Sequence, residues 1–489
     1  MCPAPLALAI ALSINVAHAA TIVVDSAGTD SESGKCTIVD AVQALNTAAA
    51  VNNCIAGDGN SDIIDLNSFT SPTTITFTSA QSQSHALVIN NQATISAPVD
   101  ATGNPLVTLT RSSSDGTPVF GIIQSNAALD VEGLQITNGD SGNFLGGGIL
   151  AGNSLIVGAS VISGNHSNSA GGGIAATGKL TIQNSIVTGN KAGNVGGGVY
   201  GSTGVEIDYS TIKSNSTSSA TGPVNGGGGI FSSGALRLMR ADILDNTSAS
   251  AGGGVYAAQG MNVTSSTISG NLASNGSGGG LYANPSTVGA NVIVSYSTID
   301  TNTAQGNGGG ILGGTTNIAN STIVGNMASG TGGGVQTGTL MMNYTTVTQN
   351  QSAGDGGGVN FGSSAEVDAT ILVNNTIAGT TPDDIEGGAA ITGQYDIIVA
   401  SNAGVPDQTL SCDPQLSPLA DNGGPTQTMA LTAGSCAIDK AGTVLTVDSD
   451  QRGFARAVGG GDPPVADIGA YEFGSMDPDK IFSNGFEGT

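Results

Sequence analysis

Tryptophan is absent from this 489-residue chain, and aromatic residues of all kinds make up only 4 % of it. A core assembled from large rings is thereby excluded. What such a composition can fill is a narrow interior of aliphatic side chains. Cations are nearly as scarce. Lys plus Arg number 11 against 36 Asp plus Glu, a formal net charge of −25. That balance argues against nucleic acid or an anionic lipid surface as a partner. The plain reading of the acidity is solubility outside a cell, and calcium binding by scattered aspartates is the sharper alternative. Histidine occurs three times, and no Cys-x-x-Cys spacing with a His partner exists. No metal site and no cofactor are therefore expected. After residue 20 no apolar run is long enough to span a bilayer, so no transmembrane segment is expected.

Glycine is what the chain has in excess, 77 residues, about twice the usual share. Nine Gly triplets begin at Gly146, Gly171, Gly196, Gly227, Gly252, Gly278, Gly308, Gly332 and Gly356, in steps of 24 to 31 residues. Each is followed by Ile, Val or Leu. A second signature, Ile/Val-x-x-Asn, ends at Asn165, Asn190, Asn215, Asn246, Asn271, Asn302, Asn326, Asn350 and Asn374. A fixed period of this size means a solenoid, propeller or array. Within one repeat, Leu180 and Ile182 share one face of a strand, and Ser185 and Val187 share the face of the next. No window of a repeat carries the helical i, i+3, i+4 pattern. A propeller blade needs about 40 residues, and the leucine-rich spacing is missing. The fold class predicted is all-β, a right-handed parallel β-helix with three strands per coil, a small N-terminal helical cap and a C-terminal capping domain.

Each column then has an expected task. The Asn residues bond to the Asn above and below at one turn and tolerate its left-handed backbone. The Gly triplets form a corner that needs positive φ or has no room for a Cβ. The Ile/Val columns fill the interior. The residue four before each Asn is mostly Thr, suited to an exposed strand face. Longer steps place insertions at Ser216 to Asn225 and near Ala283 to Gly289, expected on one face.

Five regions follow. Residues 1–19 read as a signal peptide, with an apolar core Leu6 to Val16 and a small-x-small site at Ala17-His18-Ala19, although no cation precedes the core. Residues 20–60 form the cap, 61–400 the β-helix with regular repeats over 146–374, 401–475 a C-terminal domain and 476–489 a tail. The cap holds one plausible helix, within 36–50, where Val39, Val42, Ala44 and Leu45 can share a face. Four cysteines remain after cleavage, an even number that favours disulfides in an exported chain. Three pairings are possible, and the local one, Cys36–Cys54 and Cys412–Cys436, fits two separate end regions.

Several motifs carry family resemblances. Cys36-Thr37-Ile38-Val39-Asp40-Ala41 partly resembles the exported-protein domain named for Cys-Ser-Leu-Arg-Glu-Ala, with its Leu, Arg and Glu replaced. The repeats over 146–374 resemble the polymorphic outer-membrane protein family, with Gly for its Ala and Ile or Val for its Phe. Asn422-Gly423-Gly424-Pro425-Thr426-Gln427-Thr428, Gly434-Ser435-Cys436-Ala437-Ile438-Asp439, Asp450-Gln451-Arg452-Gly453 and Asp467-Ile468-Gly469-Ala470-Tyr471-Glu472 look like the choice-of-anchor Q domain. That resemblance implies a surface or secreted bacterial protein, outer-membrane associated or extracellular. Arg452 with Asp467 or Glu472 reads as an ion pair pinning the end domain to the last coil.

The sequence assigns no catalytic residue. Carboxylates of the repeats, among them Glu206, Asp208, Asp242, Asp245 and Asp300, share no column that would set a hydrolytic pair. Asp383-Asp384 resembles the paired Asp of polygalacturonases, but the accompanying Asn-Thr-Asp and Gly-His-Gly strings are missing. His166 follows a repeat Asn and reads as a solvated turn residue. The candidate binding residues are Tyr200, Phe231, Tyr256 and Tyr282, which follow the aliphatic of four consecutive triplets. If that aliphatic points in, they point out and make an aromatic ladder for a glycan or a host or cell-surface partner. The alternative is that the rings cover the bare Gly corner. A second outward column six before the Asn carries Tyr209, Arg240, Tyr296 and Tyr344. Adhesion or glycan binding is the function expected, with a polysaccharide lyase or hydrolase, or a purely structural surface protein, as alternatives. The oligomeric state is not legible.

Overall fold

A computed structural model describes residues 19–219, 226–442, 447–456 and 464–476. The expected signal peptide and tail lie outside them except at residues 19 and 476. The chain is a right-handed parallel β-helix. Its strands stack into three sheets of 23, 13 and 10 described strands, parallel throughout except for the last pair of the third sheet. One coil shows the plan: Ile174–Ala176 and Leu180–Gln183 lie in the long sheet, Ile186–Thr188 in the second and Lys191–Ala192 in the short third. Residues one coil apart are in register, as in Leu155, Leu180, Val205 and Leu236. The aliphatic after every triplet, from Ile149 to Val359, is fully buried in the lumen. Removing one such side chain to Ala would cost about 2–5 kcal/mol.

Each glycine of a triplet has its own reason. Gly171 takes φ +64°, a left-handed corner. A Cβ on Gly172 would strike the carbonyl of Gly197 in the next coil. One on Gly173 would come within 2.9 Å of Asn190 Cγ.

The asparagine column is a continuous buried ladder. Oδ1 of each Asn accepts from both the main-chain N–H and the Nδ2 of the Asn one coil earlier, at 2.9–3.0 Å. Its own Nδ2 also donates to a main-chain carbonyl of the preceding coil, as Asn246 does to Ile212 O. Two details correct the sequence reading. The left-handed residue is the one before the Asn, such as Gly164, Gly189 and Ser214. At the ninth coil, Asn374 takes that left-handed place at φ 61° and Asn375 joins the ladder. A second column of serines and threonines runs parallel: Ser160 N–H donates to Ser185 Oγ, and Ser185 N–H to Ser210 Oγ.

The outward column six before the Asn is also a corner. Ala159, Asn184, Tyr209, Arg240, Ser265, Tyr296, Asn320, Tyr344 and Ala369 all have φ between 45° and 52°. One left-handed residue turns the chain from the long sheet into the second.

At the N-terminal end, helix Ile38–Thr47 covers the lumen with Ile38, Ala41, Val42, Ala44 and Leu45. Thr37 caps it by accepting from Asp40 N–H at 3.2 Å. Strand Thr21–Val23 pairs with Asp62–Asp65, so the cap adds a rung of its own. Cys36 is bonded to Cys54 and Cys412 to Cys436, the local pairing. The two insertions hang from different corners, one before Gly226 and one after the strand Leu281–Ala283. Residues 220–225 of the first lie outside the described ones.

The C-terminal region does more than close an end. Asp407 and Leu410 bridge to Gln394 and Ile397 of the final coil. The chain then runs back along the second sheet. Thr298 Oγ1 donates to Gln427 O, Thr322 Oγ1 to Gln451 Oε1, and Thr346 Oγ1 accepts from Ala470 N–H. Three threonines expected on an exposed face are therefore buried. Arg452 pairs with Asp450 at 2.6 Å, not with Asp467 or Glu472 side chains, and lies against the rings of Tyr471 and Phe454. Arg456 is the pin to the solenoid: it stacks on Tyr344 at 4.1 Å, bonds Asn320 Oδ1 at 2.8 Å and faces Glu472 at 3.6 Å.

Candidate functional site

The four candidate aromatics do form one stack. Parallel pairing aligns Tyr200 with Phe231, Phe231 with Tyr256 and Tyr256 with Tyr282. The ring centroids lie 5.8, 4.8 and 4.8 Å apart. The rings point away from the lumen, as the alternation requires. They are not an open platform. Phe231 and Tyr256 are buried, closed in by Ala170, Val195 and Ala251 beside the Gly corners. Only Tyr200 and Tyr282, at the two ends, are half-exposed. The expectation of an exposed ladder is corrected at its two middle rings. Bare glycine backbone leaves a trough, and flat rings at coil spacing fill it.

Beyond the next bend, the outer face of the long sheet carries a groove of about 480 Å³. It is lined by an in-register column in which Glu206 pairs with Arg237 and Arg237 with Asn262, and Thr181 continues the column one coil earlier. Lys179 borders it, with Thr203 three residues after Tyr200. The charges are paired across coils. Lys179 Nζ lies 2.9 Å from Glu206 Oε2. Arg237 Nη1 lies 3.0 Å from Asp208 Oδ1 and donates to both oxygens of that carboxylate. All four side chains are partly exposed. The groove thus offers hydroxyl-binding donors and acceptors at a coil-spaced repeat. From the sequence only Glu206 and Asp208 of these were singled out, as carboxylates without a shared column. The signal that would have joined them is the one-coil offset of 31 residues between Glu206 and Arg237.

The other titratable groups serve the scaffold. Asp383 and Asp384 are buried, and both accept main-chain N–H groups of the coils. Asp384 Oδ1 accepts from Asn375 N–H and Nδ2, and Oδ2 accepts from Ala400 N–H. Asp383 Oδ2 accepts from Gly356 N–H. Asp396 Oδ1 accepts from Thr370 N–H, the last of the serine and threonine column. Burial pushes Asp383 up to about 6 and Asp396 up to about 8. His85 bridges Ser84 Oγ and Gly146 O, and burial lowers it to about 4. His166 is half-buried beside Asp140 at 3.1 Å rather than free in a turn. Arg240 stacks on the exposed ring of Tyr209 at 5.2 Å. Among the described residues, no group of three or more His, Cys, Asp or Glu side chains is placed to hold a metal ion. No described helix is long and apolar enough to cross a membrane.

No protein-family model matches the chain, and no curated protein matches it. Among solved structures it is similar to the crystal structure of pectate lyase Pel9A, over 94 % of this chain and 97 % of that one, at 12 % identity and a TM-score of 0.33. A likeness this loose says nothing of activity.

Proposed function

We propose that this chain is an exported bacterial surface or secreted protein that binds a glycan on the outer face of its long sheet, without cleaving it. The observation that carries this reading is the groove over Glu206, Arg237 and Asn262, bordered by Lys179. Its polar groups repeat at the coil spacing of about 4.8 Å, which suits a linear polymer of rings. Two disulfides and the acidic surface support a place outside the cytoplasm. The resemblance of the end region to choice-of-anchor Q domains supports display at the cell surface, with outer-membrane association as the finer proposal. In this reading Tyr200 and Tyr282 contribute their exposed edges, while Phe231 and Tyr256 hold the face rigid.

A second reading, a polysaccharide lyase or hydrolase, draws on the same place, since Glu206 and Asp208 share a face with two cations. It ranks second because both carboxylates are already engaged by those cations. Purified residues 20–475 screened on a glycan array and assayed for polysaccharide cleavage separate the two. Binding with no new chain ends supports the first. Release of unsaturated or reducing ends establishes the second. Neither binding nor cleavage overturns both and leaves a structural role.

A further inference from the structure

The charge state of the groove narrows the ligand, and this step rests on the binding reading above. Within the groove and its border, two cations, Lys179 and Arg237, face two carboxylates, Glu206 and Asp208. Each cation is already in contact with its own carboxylate, one at 2.9 Å and one at 3.0 Å. The site is locally neutral inside a chain of net charge −25. A uronate or sulfated polymer would have to displace Glu206 or Asp208 and then lie beside the displaced carboxylate. It would do so against the field of the whole molecule. A free cationic cleft, which such polymers need, is not what these residues build.

Paired ions are instead good partners for hydroxyls. A carboxylate held by a cation keeps lone pairs for O–H donors, and the cation keeps N–H groups for oxygen acceptors. Asn262 adds an uncharged amide that is both donor and acceptor. The groove extends from the coil of Lys179 to that of Asn262, three coil steps or about 14 Å. We infer that the ligand is a neutral, linear polysaccharide lying along the solenoid axis, with successive rings meeting Glu206, Arg237 and Asn262, and that acidic polysaccharides are excluded.

The test is affinity electrophoresis and calorimetry of residues 20–475 against a neutral galactan and a neutral β-glucan, polygalacturonate, and chitosan, each at low and high salt. The expected result is binding to a neutral polymer that changes less than about twofold between the two salts, because no net charge is neutralised. Asn262→Ala and Arg237→Gln should each weaken it about tenfold, the loss of roughly one good hydrogen bond. Unchanged unfolding midpoints would show that these variants fold. Binding to polygalacturonate that weakens with salt, or to chitosan alone, overturns the neutral assignment and leaves glycan binding standing. Neutral binding that neither substitution weakens places the ligand elsewhere and overturns the inference. Binding to none of the four overturns the glycan reading itself.

Discussion

The asparagine ladder makes a sharp prediction, because a middle rung must both give and take. Asn246 Oδ1 accepts from Asn215 N–H and Nδ2, while Asn246 Nδ2 donates to Asn271 Oδ1 at 3.0 Å and to Ile212 O at 2.8 Å. The side chain is fully buried. In Asn246→Asp the accepting oxygen survives, but a second oxygen replaces the amino group and faces two acceptors. Two bonds are lost, and a charge with no cation beside it is buried, its second oxygen facing acceptors. We expect a cost of at least about 3 kcal/mol at pH 8. Protonation restores one donor, so the variant's folded pKa is raised above its unfolded value. Its stability is fullest below pH ~4 and falls as pH rises through that raised value. Asn246→Ala removes acceptor and donor together and should cost about 3–5 kcal/mol. The natural last rung inverts the rule. Asp384 has no further Asn to serve, and its second oxygen accepts from Ala400 N–H. Asp384→Asn puts an amino group against that N–H and should cost about 1–3 kcal/mol. Solenoids unfold in parts, so the readout is hydrogen exchange at the Asn215 amide together with urea unfolding. Asn246→Asp within about 0.5 kcal/mol of the parent at pH 8, or full protection retained at Asn215, would refute the reasoning.

Three further outcomes follow from the same geometry. Tyr256→Ala should lower stability by about 3–5 kcal/mol in urea unfolding, because the ring is buried between Phe231 and Tyr282; a neutral substitution would show the stack to be ornamental. Arg456→Met should loosen the C-terminal region by about 3–5 kcal/mol, because it removes the buried cation that faces Glu472 and bonds Asn320, and limited proteolysis should then cut that region before the solenoid. Burial raises Asp396 to about 8, so its contribution is full below pH ~4 and is lost as pH rises from there through 8. Asp396→Asn should flatten that slope in unfolding measured between pH 5 and 9.

What was legible in the sequence is whatever the solenoid repeats in side chains. The Gly triplets, the aliphatic after them and the Asn column each demand one residue type in every coil, so the period exposes them. The one slip came at Asn374 and Asn375, where two adjacent asparagines fill two different places. The left-handed corner was invisible because only its backbone repeats. Ala159, Tyr209, Arg240 and Ser265 share a φ and nothing else. The return of the C-terminal region was hidden for another reason. Its contacts with the coils span 124 to 153 residues, and Thr298, Thr322 and Thr346 look no different from Thr211 or Thr267, on which no such contact falls among the described residues. The groove was half legible. Its two carboxylates, Glu206 and Asp208, were in view, but ion pairs between coils appear only once neighbouring repeats are aligned residue by residue.

The three terminal aspartates follow from a property of the columns that no single coil shows. The Gly corner N–H groups, the main-chain N–H and one Nδ2 bond of each ladder Asn, and the main-chain N–H groups of the second column all donate in the same direction, toward the C-terminal coil. Such a stack has a donor end and an acceptor end, as a helix has. At its donor end the last N–H groups face no further repeat, and in a buried turn each would cost about 1–3 kcal/mol unpaired. The final coil answers all three columns with the same residue. Asp383 takes Gly356, Asp384 takes Asn375 and Asp396 takes Thr370. An Asp side chain presents an oxygen that accepts whether the group is ionised or protonated, and no N–H that needs a further partner. The break in the repeat at residues 383–396 is therefore the point where the ladder chemistry changes from donor and acceptor to acceptor alone. The pair Asp383-Asp384, which looks catalytic by spacing, is better understood as the closing acceptors of two columns.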